Sequence, residues 1–229
     1  MTMKKIIALI LIVMTVICFA SCEPIEVNPG KNTSSNNSTS KDTTSAANSS
    51  SLSGPAVDDP YANTVKIKID VKDFGVMTLE LYPDVAPKTV ENFLSYVDEG
   101  FYNGLTFHRI YKGFMIQGGD PTGTGSGDGG KAPITGEFST NGYNNPLSHQ
   151  YGVISMARTT DPNSATCQFF ICNADASASL DGKYAAFGKL IDGADVLDAI
   201  SDVEVDYDVR GEKSKPVDPP VINSITRAD

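Results

Sequence analysis

Two short apolar stretches carry polar heads where burial would otherwise be complete. In FHRIYKGFMIQGGD, residues 107–120, Arg109 and Gln117 stand among Phe107, Ile110, Phe114, Met115 and Ile116. In ATCQFFIC, residues 165–172, Gln168 stands beside Phe169 and Phe170. A strand period of two puts Gln117 on the face of Met115 and opposite Ile116, and Gln168 on the face of Phe170 and opposite Phe169 and Ile171. By the same rule Arg109 shares a face with Phe107, away from His108 and Ile110. A face that mixes hydrogen-bonding heads with apolar bulk suits a groove for a ligand that is itself part apolar and part polar. The same three side chains would also serve at the end of a β-barrel, satisfying backbone groups there. The residues alone leave both readings open.

Other chemistries find less support. His108 and His149 are the only histidines, so a multi-histidine metal cage is excluded, and no G-x-S-x-G elbow offers a serine nucleophile. Residues 125–130, GSGDGG, match a dinucleotide fingerprint, but Lys131-Ala132-Pro133 follows and no helical periodicity begins, so no phosphate site is expected. Asp202, Glu204, Asp206 and Asp208 alternate with Val203, Val205, Tyr207 and Val209. Calcium is conceivable on such a row, but a solvated strand face explains it more simply. Neither a metal nor a cofactor is expected.

The elements that must position these residues are mostly strands. Val65, Ile67, Ile69 and Val71 alternate with Lys66, Lys68, Asp70 and Lys72, and a second run, 76–81, follows Asp73-Phe74-Gly75 as in a hairpin. Further apolar runs at 106–110, 114–117, 153–156, 168–172, 185–189 and 221–225 bring the expected strands to eight. Val90, Phe93, Leu94 and Val97 have helical spacing behind Pro87 and ahead of Gly100, and Val196, Leu197, Ile200 and Val203 repeat it. Eight short strands and two helices predict an all-β fold, a closed eight-stranded antiparallel β-barrel capped by two α-helices.

The 229 residues divide into three segments. Residues 1–21 read as a signal peptide, with Lys4 and Lys5 ahead of an apolar run from Ile6 to Ala20 that is short for a membrane span. Phe19-Ala20-Ser21-Cys22 resembles a bacterial lipobox, which makes Cys22 the expected lipidation site and places the protein outside the cytoplasm, anchored to a bacterial membrane through that lipid alone. Residues 22–60 are a tether: 17 of the 23 residues from Lys31 to Ser53 are Ser, Thr or Asn, too little apolar surface to fold. Residues 61–229 form the folded domain, where 14 Lys and Arg face 23 Asp and Glu within a chain of net charge -10. Such a surface repels phosphate backbones, and no nucleic-acid partner is expected. Cys167 and Cys172, about 16 Å apart on opposite faces of one strand, are too distant for a disulfide.

The blocks FHRIYKGFMIQGGD, GVISMAR, QFFI and LDGKYAAFGKL resemble, in order and approximate spacing, the signature of the cyclophilins, a family of peptidyl-prolyl cis-trans isomerases. The resemblance spans about Thr64 to Ile225 and implies an eight-stranded antiparallel barrel with two capping helices. It also implies the roles of the residues. Arg109 matches the catalytic arginine, with Gln117 beside it and Phe114 completing the catalytic group. Met115, Phe170 and Leu180 match the proline pocket that Phe114 also lines, and Ala157, Arg158 and Gln168 match the peptide groove.

Three positions depart from the best-known eukaryotic pattern: Arg158 replaces an asparagine, Tyr184 a histidine, and Ser179 the tryptophan ahead of LDGK, with a one-residue length difference in the loop from Asn173. The partners implied are proline-containing polypeptides, with cyclosporin, the cyclic peptide that eukaryotic members bind tightly, expected to bind weakly to what is expected to be a monomer. The same pocket would also serve a tethered, non-catalytic module that binds proline peptides.

Overall fold

The structure, a computed structural model, describes residues 59–228. The signal peptide, Cys22 and all but the last two residues of the tether lie outside the described residues. Ten strands alternate with three α-helices: β1 (Val65–Val71), β2 (Gly75–Leu81), α1 (Pro87–Asp98), β3 (Arg109–Tyr111), β4 (Met115–Gly118), β5 (Val153–Met156), β6 (Phe169–Cys172), α2 (Ser177–Leu180), β7 (Ala186–Asp192), α3 (Ala194–Ser201), β8 (Val205–Tyr207), β9 (Lys213–Pro216) and β10 (Ile222–Ala228). Each of the eight apolar runs contributes one strand to a single antiparallel sheet in the order β10-β1-β2-β7-β5-β6-β4-β3.

The sheet is curled, a half-barrel rather than the closed barrel expected from the strand count. Its end strands, β3 and β10, share no ladder. The segments leading into them meet at one bridge, Thr106 to Val221, flanked by bonds from Phe107 N–H to the Pro220 carbonyl (3.0 Å) and from Ile222 N–H to the Leu105 carbonyl (2.8 Å). Pro219 and Pro220 explain the short seam, because proline has no N–H to extend a ladder.

The concave face buries the main core. Ile67, Ile69, Leu79, Ile110, Ile116, Ile154, Phe169 and Ile171 meet Phe93 of α1 and Leu197 and Ile200 of α3 there, all fully buried. Helix α1 begins at Pro87 without a local side-chain cap; the buried Glu137 supplies one from a distance, accepting N–H bonds from Lys88 (3.1 Å) and Thr89 (2.9 Å). A carboxylate at that end satisfies donors the helix leaves open and complements its dipole.

Three sequence expectations need correction here. The third helix, α2, is a single turn of four residues, too short to show a helical period. Val203 lies past the end of α3 and only packs against the core. The acidic row is solvated as expected at Asp202, Glu204 and Asp206, but not at Asp208, which folds inward to build the turn of a separate hairpin in which β8 pairs with β9. Among the described residues no group of side chains is arranged to hold a metal ion.

Candidate functional site

The convex side of β4 and β6 carries a second, smaller apolar cluster. Met115, Phe170, Cys172, Ala176 and Leu180 are buried in it, and Phe114, Ala157 and Tyr184 pack against its rim. The alternation read from the sequence holds on both strands, since Ile116, Phe169 and Ile171 turn into the main core while Met115 and Phe170 turn outward. Strand register then aligns the polar heads, for Arg109 pairs with Gln117 across β3 and β4, and Gln117 pairs with Phe170 across β4 and β6. Phe107 is the exception. It lies fully buried in the main core together with Ile110, because β3 starts only at Arg109 and the alternation does not extend back through His108.

The heads form one hydrogen-bonded row. Arg109 Nη1 donates to Gln117 Oε1 at 3.3 Å, Gln117 Nε2 to Gln168 Oε1 at 2.9 Å, and Gln168 Nε2 to the Gly127 carbonyl at 2.8 Å. Nη1 also lies 3.9 Å from the Met115 sulfur. The glycine-rich segment thus orients the row rather than a phosphate. Its loop is folded around Asp120, whose carboxylate accepts N–H bonds from Thr122 (2.7 Å), Thr124 (3.1 Å) and Gly125. A side chain at Gly127 would run into the Asp120 carboxylate and stand 2.9 Å from Pro121 Cδ. Gly127→Ala is therefore expected to cost about 1 to 3 kcal/mol, read from the shift in thermal midpoint.

A groove of about 820 Å³ passes over the row and is lined by Arg109, Phe114, Met115, Gln117, Phe170 and Leu180 at its centre. Ala157, Arg158 and Tyr184 edge one side, and residues of the β8–β9 hairpin extend it beyond Arg109. Two of the departures from the eukaryotic pattern touch each other. The Arg158 guanidinium lies 4.6 Å from the centre of the Tyr184 ring and 5.1 Å from that of Phe138, while its Nε and Nη2 both donate to the Lys183 carbonyl at 2.9 and 2.8 Å. Tyr184 in turn meets Phe170 edge to face at 5.8 Å. Arg158 and Tyr184 together make a stacked wall of the apolar pocket.

The pocket floor is backed by a buried histidine. His149 stacks on Phe170 with ring centres 6.0 Å apart, its Nδ1 is 2.8 Å from Asp181 Oδ1, and its Nε2 is 3.0 Å from the Ser155 hydroxyl. This serine–histidine–aspartate contact is structural, since Ser155 is fully buried and His149 is 1% exposed. Burial holds the imidazole below its ordinary pKa although Asp181 opposes the shift.

Every site residue named from the sequence other than Cys22 lies on or behind this groove, and Glu212 is the contact the sequence did not reveal. Its carboxylate grips Arg109 from the β8–β9 hairpin, Oε1 to Nε at 2.7 Å and Oε2 to Nη2 at 2.9 Å. The arginine holds the Glu212 carboxyl below its ordinary pKa. Spacing could not have shown this pair, whose members are 103 residues apart.

A permanently charged fork beside an apolar pocket can polarise a bound amide without breaking a bond. Comparison with known proteins agrees. The family model described as cyclophilin type peptidyl-prolyl cis-trans isomerase/CLD matches residues 64–227. A protein of Staphylococcus haemolyticus, named as a candidate peptidyl-prolyl cis-trans isomerase, is 37% identical over 198 residues, covering 73% of this chain and 93% of the relative. A Staphylococcus aureus protein of the same name is 38% identical over 182 residues, covering 66% and 86%. The crystal structure of a Cryptosporidium parvum cyclophilin type isomerase superposes with a TM-score of 0.63 at 32% identity over 73% of this chain and 99% of the other. A second crystal structure of it, obtained in the presence of the dipeptide Ala-Pro, gives 0.62 at 33% identity over 72% and 99%. Hairpin, half-barrel, groove and sequence blocks converge on one assignment, and the chain belongs to the cyclophilin-type peptidyl-prolyl cis-trans isomerases.

Proposed function

We propose that the protein is a lipid-anchored, extracytoplasmic isomerase that accelerates X-Pro bond rotation in exported or surface polypeptides, with Arg109 as the catalytic donor. The observation that carries this reading is the juxtaposition of the Arg109 fork with the Met115, Phe170 and Leu180 pocket in one groove. An X-Pro amide is planar by resonance, with a barrier of about 18 to 20 kcal/mol, and turns over unaided in tens to hundreds of seconds. At the transition state resonance is lost and the prolyl nitrogen becomes a hydrogen-bond acceptor. A donor placed there stabilises the twisted state more than the planar one, which is what catalysis requires.

Magnitudes divide the work. An acceleration of about five decades needs roughly 7 kcal/mol, and one preorganised donor supplies about 3 to 4. The apolar pocket contributes by gripping the proline ring and excluding water, which leaves the field of the arginine less screened. The row from Gln117 through Gln168 to Gly127 contributes by holding the amide heads in register. Ala157, Arg158 and Tyr184, on one side of the groove, would line the path of the flanking peptide. Exchange NMR or a protease-coupled assay on an Ala-Pro peptide tests the reading. Binding without turnover would make the chain a proline-peptide module instead.

The anchor is supported by the sequence of residues 1–60, namely the apolar leader, the small residues before Cys22 and the Ser/Thr/Asn-rich stretch behind it. Cys22→Ala is expected to move the protein from the membrane to the soluble fraction, because both acyl chains depend on that thiol. Retention of the variant on membranes washed at high salt would refute the anchor.

A further inference from the structure

The β8–β9 hairpin holds the one acidic side chain that touches the Arg109 guanidinium among the described residues. Both Glu212 oxygens are committed to one edge of it, at Nε and Nη2, and Gln117 takes one N–H of Nη1. A guanidinium has five N–H groups. Three are thereby occupied, leaving one on Nη2 and, apart from the long approach to Met115 sulfur, one on Nη1 for a bound amide.

The hairpin is itself fixed so that Glu212 stays where it is. Asp208 Oδ1 accepts the N–H groups of Arg210 (2.8 Å) and Glu212 (2.9 Å), and Oδ2 accepts Arg210 Nε at 2.8 Å. The Glu212 carbonyl accepts Asp208 N–H at 2.8 Å, and Gly211, at a φ of 81°, closes the turn. Arg210, the nearest other cation on the turn, is therefore held by Asp208 and leaves Glu212 to Arg109.

We propose that Glu212 is a positioning residue for isomerisation, gripping one edge of Arg109 so that its uncommitted N–H groups are set toward the substrate amide. The proposal rests on the reading of Arg109 as the catalytic donor. A long arginine side chain loses rotamer freedom when it meets the transition state, and a bidentate carboxylate removes that loss beforehand. A carboxylate so close also offsets part of the positive charge. The side-on geometry favours orientation over field strength, because it occupies one edge and leaves donors open on the other.

The test is a set of five proteins assayed on an Ala-Pro peptide: unmodified, Glu212→Ala, Glu212→Gln, Arg109→Ala and the Arg109→Ala/Glu212→Ala double variant. Glu212→Ala is expected to lower kcat/KM about tenfold through kcat, with KM changed less than twofold, short of the 100-fold or more for losing a donor outright. Glu212→Gln, which keeps one acceptor, should recover about threefold of that. In the Arg109→Ala background Glu212→Ala should change nothing further. The Arg109 Nε–H signal in a 15N spectrum, slow to exchange in the unmodified protein, should be lost in Glu212→Ala.

Unchanged or faster turnover by Glu212→Ala would overturn the proposal, the latter by making the carboxylate a block. So would an equal loss in the Arg109→Ala background, or a loss matched by a fall in thermal midpoint, since either would make the hairpin merely structural. Near-normal turnover by Arg109→Ala would instead refute the catalytic assignment itself, a result distinguishable from the others.

Discussion

Arg109→Ala is expected to lower kcat/KM by about two to three decades, equivalent to roughly 2.7 to 4 kcal/mol of transition-state stabilisation, while the protein stays folded. The loss is expected to fall on kcat because the Met115, Phe170 and Leu180 cluster, the pocket proposed to hold the proline ring, is left in place by the substitution. Folding should survive for a reason visible in the structure. Removing the arginine strands Glu212, but that side chain is 30% exposed and can turn to water. The main core lies on the other face of the sheet and loses no contact with it.

Arg109→Lys should recover little of the activity. An ammonium carries its three N–H donors on a single tetrahedral nitrogen and cannot hold Glu212 bidentately while also reaching Gln117 and a substrate, as the planar fork does from three separate nitrogens. Steady-state assays on an Ala-Pro peptide, read beside thermal midpoints, measure both claims. A folded Arg109→Ala protein within a few-fold of the unmodified rate would remove Arg109 from the mechanism.

What could be read from the sequence was whatever follows from short-range periodicity. Gln117 with Met115 and Gln168 with Phe170 are placed on the groove face by strand alternation alone, and their neighbours Ile116, Phe169 and Ile171 are placed in the core by the same rule. Alternation fails at Phe107 because it presumes a strand that has not yet begun. Helix α1 was legible because six of its twelve residues are buried along one stripe behind a proline. Helix α2 was not, since one turn has no period.

The remaining gaps are long-range. The seam between β3 and β10 depends on where Pro220 and Val221 meet Phe107 and Thr106. The Arg158–Tyr184 stack joins two substitutions that look unrelated when each is compared singly with the eukaryotic pattern. Glu212 was hidden for a stronger reason. Its acidic neighbours read as a solvated face, and only the fold of the β8–β9 turn, set by Asp208 and Gly211, distinguishes the carboxylate that meets Arg109.

The second large effect concerns cyclosporin, the ligand that the resemblance to eukaryotic cyclophilins attaches to this groove. There the tryptophan ahead of LDGK forms part of the wall and donates an indole N–H to the drug. Here Ser179 stands in its place, exposed on the single turn of α2, its hydroxyl spent on the Ala176 carbonyl at 3.0 Å. Leu180, the next residue, is buried in the apolar cluster, so the pocket proposed for the proline ring keeps this side chain whatever stands at position 179. Losing a tryptophan-sized contact with its hydrogen bond costs about 2 to 4 kcal/mol, or about 30-fold to 1000-fold in affinity. The unmodified protein is therefore expected to be an active isomerase that cyclosporin inhibits weakly. Ser179→Trp should be inhibited markedly better. The substitution sacrifices one exposed hydroxyl bond worth at most about 1 kcal/mol and touches neither Arg109 nor its row, so kcat/KM should change less than about tenfold. Titration of the drug against both proteins decides it: tight and equal inhibition would mean that other residues lining the groove, such as the stacked Arg158 and Tyr184, already supply the wall that the tryptophan provides elsewhere.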